Sequence, residues 1–479
     1  MRLAPDALDR ITAAFKGADF GDPRRSNRLA RTVRKLAEAP NVSIPKAMGS
    51  DADLEAAYRL LHNPHVDFET LIRAYAEATA ARACASGCVL AIHDTTACEF
   101  NHADAEDVGY LNTGRAGFMA HYSLIVDGES SRRPLGIANA EVISRENPPS
   151  RPGTKKRKGG PETIKKSDRE SLRWFRGFQV TSNRLQGCEV INVADRECDS
   201  YELFARSLEA NMRFVIRSRV GARKANGPDG EVADVMTLAQ ACEGKVTREV
   251  PLSPRAKRRE PRANKANPPR VGRNAQLRFS ATNIEIRRPH YVDKSLPSSI
   301  RLNMVVVSEA DPPADQPAVN WVLFTTESIA TADDITRVVD IYRARWLIEE
   351  CNKTLKSVCK YEERQLESRD ALLTLLAMTF PIACEVLWLR AACRASPNRP
   401  ASDVITPVQL QILAAMSSYK LPSSPTVHDA IWAIAALGGH IKSNGEPGVL
   451  VLHRGMADLL AFEKGWRARE LAAGLSISR

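Results

Sequence analysis

Two aspartates stand where an aliphatic run gives way to polar residues. Asp94 follows the run 88–92 (CVLAI) and opens Asp94-Thr95-Thr96; Asp195 follows 189–194 (EVINVA) and opens Asp195-Arg196-Glu197. A single acid at a strand end means little. If the two strands are neighbours in one sheet, however, their carboxylates meet at one edge. A third acid, Glu349, lies in a stretch of helical periodicity. Tyr342, Arg345, Glu349, Lys353 and Lys356 fall at offsets of 0, 3, 7, 11 and 14, so at about 100° per residue they share one face. That face is too polar for a core stripe. Spacing alone fits either a solvated, salt-bridged surface, with Arg345 and Glu349 as an i,i+4 pair, or a functional one. Two or three convergent carboxylates without basic partners suit Mg²⁺, a hard ion that takes oxygen ligands and keeps several waters.

Positioning these residues requires a sheet. The patterning predicts strands over 88–92, 118–126, 135–142, 189–194 and 213–218, with a helix near 166–180 and another before 213, in the order β-β-β-α-β-α-β. Residues 221–330 are Pro-rich with short β-like runs at 301–307 and 320–326, and read as an all-β insertion. A single long helix is expected over 332–358, with Ile341, Trp346 and Ile348 for packing. The first 70 residues read as helical. Asp22 and Pro23 supply an N-cap and a first-turn proline for a helix over 24–38. Arg24, Arg28, Arg31 and Lys35 stripe it opposite Leu29, Val33 and Leu36, which fits a solvated face or a DNA contact. The last 110 residues are helical, broken at 397–400 and 422–425.

The 479 residues allow roughly two to four domains. A hydrophobic content of 43% with mean hydropathy −0.30 excludes a largely disordered or polytopic membrane protein. The net charge of +11 is unevenly placed: 151–175 carries +6 and 254–273 carries +7. Such dense runs suit phosphate backbone or solvated loops. Ten scattered cysteines without a CxxC pair argue against zinc ribbons and disulfide frameworks and fit reduced intracellular thiols. The longest uncharged stretch, 371–384, contains Pro381; it is too short for a membrane span and reads as a buried helix.

Tyr342, Arg345, Glu349 and Lys356 reproduce the spacing Y-x₂-R-x₃-E-x₆-K. This resembles the YREK signature of the insertion-sequence-four family of DDE transposases. Further segments resemble that family in order and spacing. Gly21-Asp22-Pro23-Arg24-Arg25 and Ala57-Tyr58-Arg59-Leu60-Leu61-His62-Asn63-Pro64 look like its end-binding domain. Asp94-Thr95-Thr96 and Asp195-Arg196-Glu197 look like its first two catalytic motifs. Glu170-Ser171 with Arg173-Trp174, and 213–218, also match, while Leu437-Gly438-Gly439 and His453-Arg454-Gly455 look like its dimerisation region. The chain departs from the pattern at Phe118-Met119, in the strand near 137–143 that lacks a tryptophan, and at Cys198-Asp199.

The resemblance implies an α/β fold, with a ribonuclease-H-like catalytic core, an all-β insertion, and flanking N- and C-terminal helical domains. The boundaries are 1–70 for transposon-end binding, 71–220 and 331–369 for the catalytic domain, 221–330 for the insertion and 370–479 for dimerisation. It implies Asp94, Asp195 and Glu349 as a metal-binding catalytic triad for Mg²⁺, with Mn²⁺ as a substitute and Asp195 as the inferred bridge. Such a triad suits activation of water or a 3′-OH for in-line attack at phosphorus. The implied DNA contacts are Arg24, Arg25, Arg28, Arg217, Arg219, Trp321, Tyr342, Arg345 and Lys356, with Trp321 receiving a flipped base; as a residue of the strand 320–326, Trp321 equally fits a core position. The implied partners are double-stranded DNA, as transposon ends and target, and a second copy in a homodimer, with no membrane. The implied setting is bacterial, cytoplasmic and nucleoid-associated. A nuclease without strand transfer and a silent DNA-binding derivative are the alternative readings.

Overall fold

A computed structural model of the chain describes residues 5–129, 132–148, 172–219, 223–242, 244–252, 254–255, 268–395, 397–442 and 445–476. Most of the two basic segments, together with Glu170-Ser171, lies outside the described residues.

Five helices lead the chain: α1 (Pro5–Ala13), α2 (Pro23–Glu38), α3 (Ile44–Met48), α4 (Asp51–Leu61) and α5 (Phe68–Cys84). The capping residues of α2 act as expected, with Asp22 accepting from the Arg24 N–H and Pro23 in the first turn. Its apolar stripe, Leu29, Val33 and Leu36, is buried.

The next strands are β1 (Cys88–Glu99), β2 (Gly117–Asp127) and β3 (Pro134–Ile143), with the one-turn helix α6 (Ala105–Val108) between the first two. Then follow α7 (Arg173–Arg184), β4 (Glu189–Ala194), α8 (Tyr201–Glu209) and β5 (Arg213–Arg217). The order is the expected one, with α6 added. The sheet runs β3-β2-β1-β4-β5; β1, β2 and β3 are antiparallel neighbours, while β4 is parallel to both β1 and β5. Val89–His93 is buried throughout, because helices cover both faces of this central strand.

Residues 221–330 differ from the expectation. They hold β6 (Lys224–Asn226), β7 (Val232–Asp234), β8 (Gly244–Leu252), β9 (Arg273–Arg287), β10 (Ser299–Glu309) and β11 (Asn320–Thr325), but also helix α9 (Val235–Ala241). Val235, Leu238 and Ala239 of α9 are buried at helical spacing, so the segment is not purely β. Nor is it a separate layer. β11 pairs antiparallel with β5, Val215 opposite Thr325, and the insertion strands continue the core sheet to eleven strands.

The expected single helix over 332–358 is instead α10 (Ala332–Ala344), a turn at Arg345, α11 (Trp346–Lys353) and a π-helical segment, Thr354–Val358. The Cys359 N–H donates to the Thr354 carbonyl five residues back. These irregularities rotate the face that ideal periodicity assumes, and π segments recur at functional sites.

The remaining helices are α12 (Arg369–Ala395), α13 (Pro407–Met416), α14 (Val427–Leu437) and α15 (Val449–Ser476). α12 is longer than the uncharged stretch suggested. Its window Arg369–Trp388 is long and apolar enough to cross a membrane, but 89% of that window is buried inside the protein. It packs against α5 and β3, sharing one core with Leu90 and Ile92 of β1 and Leu29 and Val33 of α2. α12 therefore packs into the same core as the sheet and the N-terminal helices. A separate cluster beyond it includes Ile405, Leu413, Ala433, Ile434 and Leu459.

Candidate active site

Strand pairing decides where the two aspartates lie. β1 and β4 run parallel with Leu90 opposite Ile191 and Ile92 opposite Val193, so two residues further on Asp94 stands beside Asp195. β1 does not stop at residue 92, though. It continues to Glu99 because its far half still pairs with β2, Asp94 opposite Tyr122 and Cys98 opposite Phe118. Asp94 is thus inside a strand at the point where β4 leaves it. Asp195 caps the short turn that follows β4, accepting from the Glu197 N–H at 2.8 Å.

Alternation along β1 divides the neighbouring residues between two faces. Asp94 shares a face with Leu90 and Ile92, toward α11, where the Asn352 amide donates to Asp94 Oδ2 at 3.0 Å. His93 and Thr95 point to the opposite face, toward α7. His93 is fully buried against Phe178, with ring centroids 4.5 Å apart. Its Nδ1 accepts from Ser123 Oγ at 2.9 Å, Ser123 accepts from Thr181, and its Nε2 meets Asn192 Oδ1 at 3.0 Å. Asn192 in turn donates to the Arg213 carbonyl. This chain of neutral groups ties β2, β1, β4 and β5 together behind the aspartates. Burial pushes the His93 pKa down to about 3, against the raising effect of Asn192; the ring is neutral at pH 7, as the network requires. Next to it, Thr95 Oγ1 meets His121 Nδ1 at 3.0 Å and accepts from Arg173 Nε at 3.1 Å. Arg173 also pairs with Glu197 at 3.5 Å, bridging the two aspartate motifs.

Glu349 comes from α11. It pairs with Arg345 Nη1 at 3.3 Å, and its charge reaches Asp94. Burial raises the Asp94 pKa to about 7, the charge of Glu349 is the next cause, and Asp195 adds to it. Burial opposes ionisation of Arg345, but Tyr342, Glu349, Asp94 and Asp195 together raise its pKa. One guanidinium is thus shared among the acids, which corrects the expectation of carboxylates without basic partners. It also bears on the metal: among the described residues, no three acidic, His or Cys side chains are grouped to hold an ion. The donor set itself fits a hard divalent cation, being all carboxylate oxygen.

The other expected contacts separate into three places. Trp321 on β11 packs edge-on against Tyr342, with centroids 5.5 Å apart and planes at 66°, and Tyr342 is buried at 5% exposure. Both border the Arg345 site. Arg217 reaches the Asn320 carbonyl at 3.5 Å, and Arg219 donates to the Arg196 carbonyl and, through its backbone, to Asp199; these two flank the turn after Asp195. Lys356, in the π segment, donates to the Ala97 carbonyl on β1 and pairs with Glu362 at 3.1 Å. Trp346, expected in the core, is instead 63% exposed beside Arg345. At the turn of the helix its ring points to solvent, which the ideal helical period cannot show.

Arg24, Arg25 and Arg28 are on α2 in the N-terminal helices. Arg24 is exposed, Arg25 donates to the Phe20 carbonyl, and Arg28 lies 3.6 Å from Asp53. Asp53 also takes Arg31 and Lys35, each at 2.8 Å. Much of the basic stripe is therefore paired within the protein.

Residues 9–66 match the family model described as transposase DNA-binding, and 176–383 match the one described as transposase DDE domain. Both matched models describe transposase domains, one for DNA binding and one for the DDE chemistry. The DDE match takes in Asp195 and Glu349 but begins after Asp94, whose membership in the site rests on strand register. Among solved structures, the chain is similar to a cryo-EM structure of a piggyBac transposase synaptic complex with hairpin DNA, at 11% identity and a TM-score of 0.33. That similarity covers 81% of this chain and 66% of the other.

The two glycine motifs near the C-terminus pack against each other within the chain. A Cβ on Gly455 would fall 1.6 Å from the Ile434 carbonyl oxygen, and one on Gly438 would fall 2.0 Å from that of Val451. They are the close crossing of α14 and α15.

Proposed function

We propose that this transposase acts by cut-and-paste, nicking transposon ends, attacking the opposite strand through the freed 3′-OH to form a hairpin, reopening it and joining the ends to target DNA. The observation that carries the proposal is the parallel register of β1 and β4, which sets Asp94 beside Asp195 within electrostatic reach of Glu349. The strand order β3-β2-β1-β4-β5, with β2 antiparallel to β1, supports a ribonuclease-H-like core. Asp94, Asp195 and Glu349 would hold divalent cations, Mg²⁺ or Mn²⁺, which when bound supply an activated oxygen nucleophile and a stabilised leaving oxygen. For Glu349 to join the two aspartates it exchanges its Arg345 contact, leaving the guanidinium to face a DNA phosphate together with Tyr342. Arg217, Arg219 and Lys356 flank the same edge and suit the strand on either side. Trp321 is partly covered by Tyr342, while the exposed ring of Trp346 offers a second stacking face for an extruded base. The N-terminal helices would hold the transposon end through Arg24, Arg25 and Arg28. A homodimer is supported by Phe462 and Trp466, exposed one turn apart on α15 at 39% and 38%.

The test is a cleavage assay on DNA carrying the inverted repeats that flank the gene, with Mg²⁺. Hairpin and strand-transfer products from the wild type support the proposal. Nicked product without either reduces the protein to a nuclease, and Asp94→Ala cleaving like wild type removes the triad.

A further inference from the structure

We propose that Asn352 is a positioning residue for Asp94, held in place by Tyr122, so that metal affinity at this site depends on a relay unrelated to the three acids. The inference rests on the triad reading. Asn352 is three residues after Glu349 on α11, so the two side chains project from the same side of the helix. Its Nδ2 donates to Asp94 Oδ2 at 3.0 Å, and its Oδ1 accepts from the Tyr122 hydroxyl at 2.7 Å. Tyr122 is fully buried on β2, opposite Asp94 in the β1–β2 register, with its ring packed against Phe380 of α12 at 5.0 Å.

The hydrogen-bond chemistry fixes the direction of this relay. In the ionised form that binds a metal, Asp94 can only accept, so the Asn352 amide turns its nitrogen to it and its oxygen to the tyrosine. The tyrosine then donates, and a flipped amide would lose its bond to Asp94. Asn352 therefore does two things at once. It fixes the rotamer of Asp94 by engaging one carboxylate oxygen, leaving the other for a metal. It also docks the helix carrying Glu349 onto the strand carrying Asp94, through one amide. A neutral donor suits this position: it orients the carboxylate without neutralising the charge the cation needs, as Arg345 partly does. Groups that orient metal ligands typically change metal affinity or activity 10- to 100-fold when removed, on the order of what is expected here.

The test uses the full chain and Mg²⁺ as the probe, with two readouts: the rise in Tm of the DNA-free protein on adding Mg²⁺, and the Mg²⁺ concentration giving half-maximal cleavage. Tyr122→Phe removes one oxygen and keeps the ring packing; Asn352→Leu removes the donor and keeps the volume. The expected result is a half-maximal Mg²⁺ concentration raised about 10-fold or more by Asn352→Leu and less by Tyr122→Phe, with the Tm rise displaced to higher Mg²⁺ and the rate recovering at excess metal. Should Asn352→Leu fail to fold, Tyr122→Phe decides alone. Unchanged Mg²⁺ dependence in the folded variants, with Asp94→Asn inactive and no longer stabilised by Mg²⁺, overturns the relay and leaves the triad standing. If Asp94→Asn itself keeps both responses, the triad reading has failed, and the relay with it.

Discussion

Asp53 and Asp94 are both carboxylates drawn in from solvent, and the protein treats them in opposite ways. Asp53, in the N-terminal helices, is surrounded by Arg28, Arg31 and Lys35 and by the Ser50 hydroxyl. The hydrogen bond from Lys35 is the largest cause of a pKa lowered to about 2, with Arg31 and Ser50 adding to it. Asp94 has two acids and one shared guanidinium near it, and burial first, then the charge of Glu349, raises its pKa to about 7. The first arrangement is complete as it stands. The second leaves Asp94 buried beside two acids, with one guanidinium shared among them. Part of the basic stripe on α2 is committed to Asp53 and so to building the N-terminal helices.

The contrast can be broken in several ways. Asp94→Asn or Glu349→Gln should lower DNA cleavage roughly a thousandfold or more, because several kcal/mol of charge stabilisation are lost. Binding of transposon-end DNA in a gel-shift assay should be retained; loss of both together would mean that the acids are structural, like Asp53.

Next in size is the glycine crossing of α14 and α15. Gly455→Ala forces a Cβ into the Ile434 carbonyl and should destabilise the protein by about 1–3 kcal/mol in denaturant unfolding. A stable variant with an altered oligomeric state would return these glycines to a dimer surface.

The pH dependence tests Asp53 directly. Its folded pKa is depressed, so the stability it contributes is fully present above its ordinary value of 3.8 and is lost as pH falls toward about 2. The Tm difference between wild type and Asp53→Asn should be constant near neutrality and close over that window. A difference that is already absent at pH 6 would show that the three cations do not need the carboxylate.

The smallest effect expected is in salt dependence. Arg24→Ala should reduce the slope of log K against log salt for end binding by about 0.9, as one phosphate contact is lost. Arg31→Ala should leave the slope nearer to wild type, because its guanidinium already holds Asp53. Equal changes for both would show that Arg31 leaves Asp53 to meet DNA.

Much of the sheet was legible because central strands buried on both faces are continuous aliphatic runs, and Glu189–Ala194 stands where its composition placed it. The α2 cap was equally legible, since Asp-Pro before a helical stripe acts through its own backbone. The kink at Arg345 was not: nothing in Tyr342–Glu349 breaks helical propensity, and the turn and π segment answer to packing on β1 and α12. For the same reason the exposure of Trp346 and the contacts of Lys356 with Ala97 and Glu362 were hidden. Gly438 and Gly455 could be read as small residues, but not as partners of each other.

By itself, then, the sequence determined which acids to suspect and which elements carry them, because strand and helix patterns are local and depend on side chains a few residues apart. Only the tertiary structure decided that β1 lies beside β4 with Asp94 level with Asp195. It also decided that Arg345 stands among the acids, that Asp53 takes part of the basic stripe, and that Asn352 reaches across 258 residues to Asp94. These are contacts between distant segments, set by sheet register and helix docking, and no periodicity in one segment contains them.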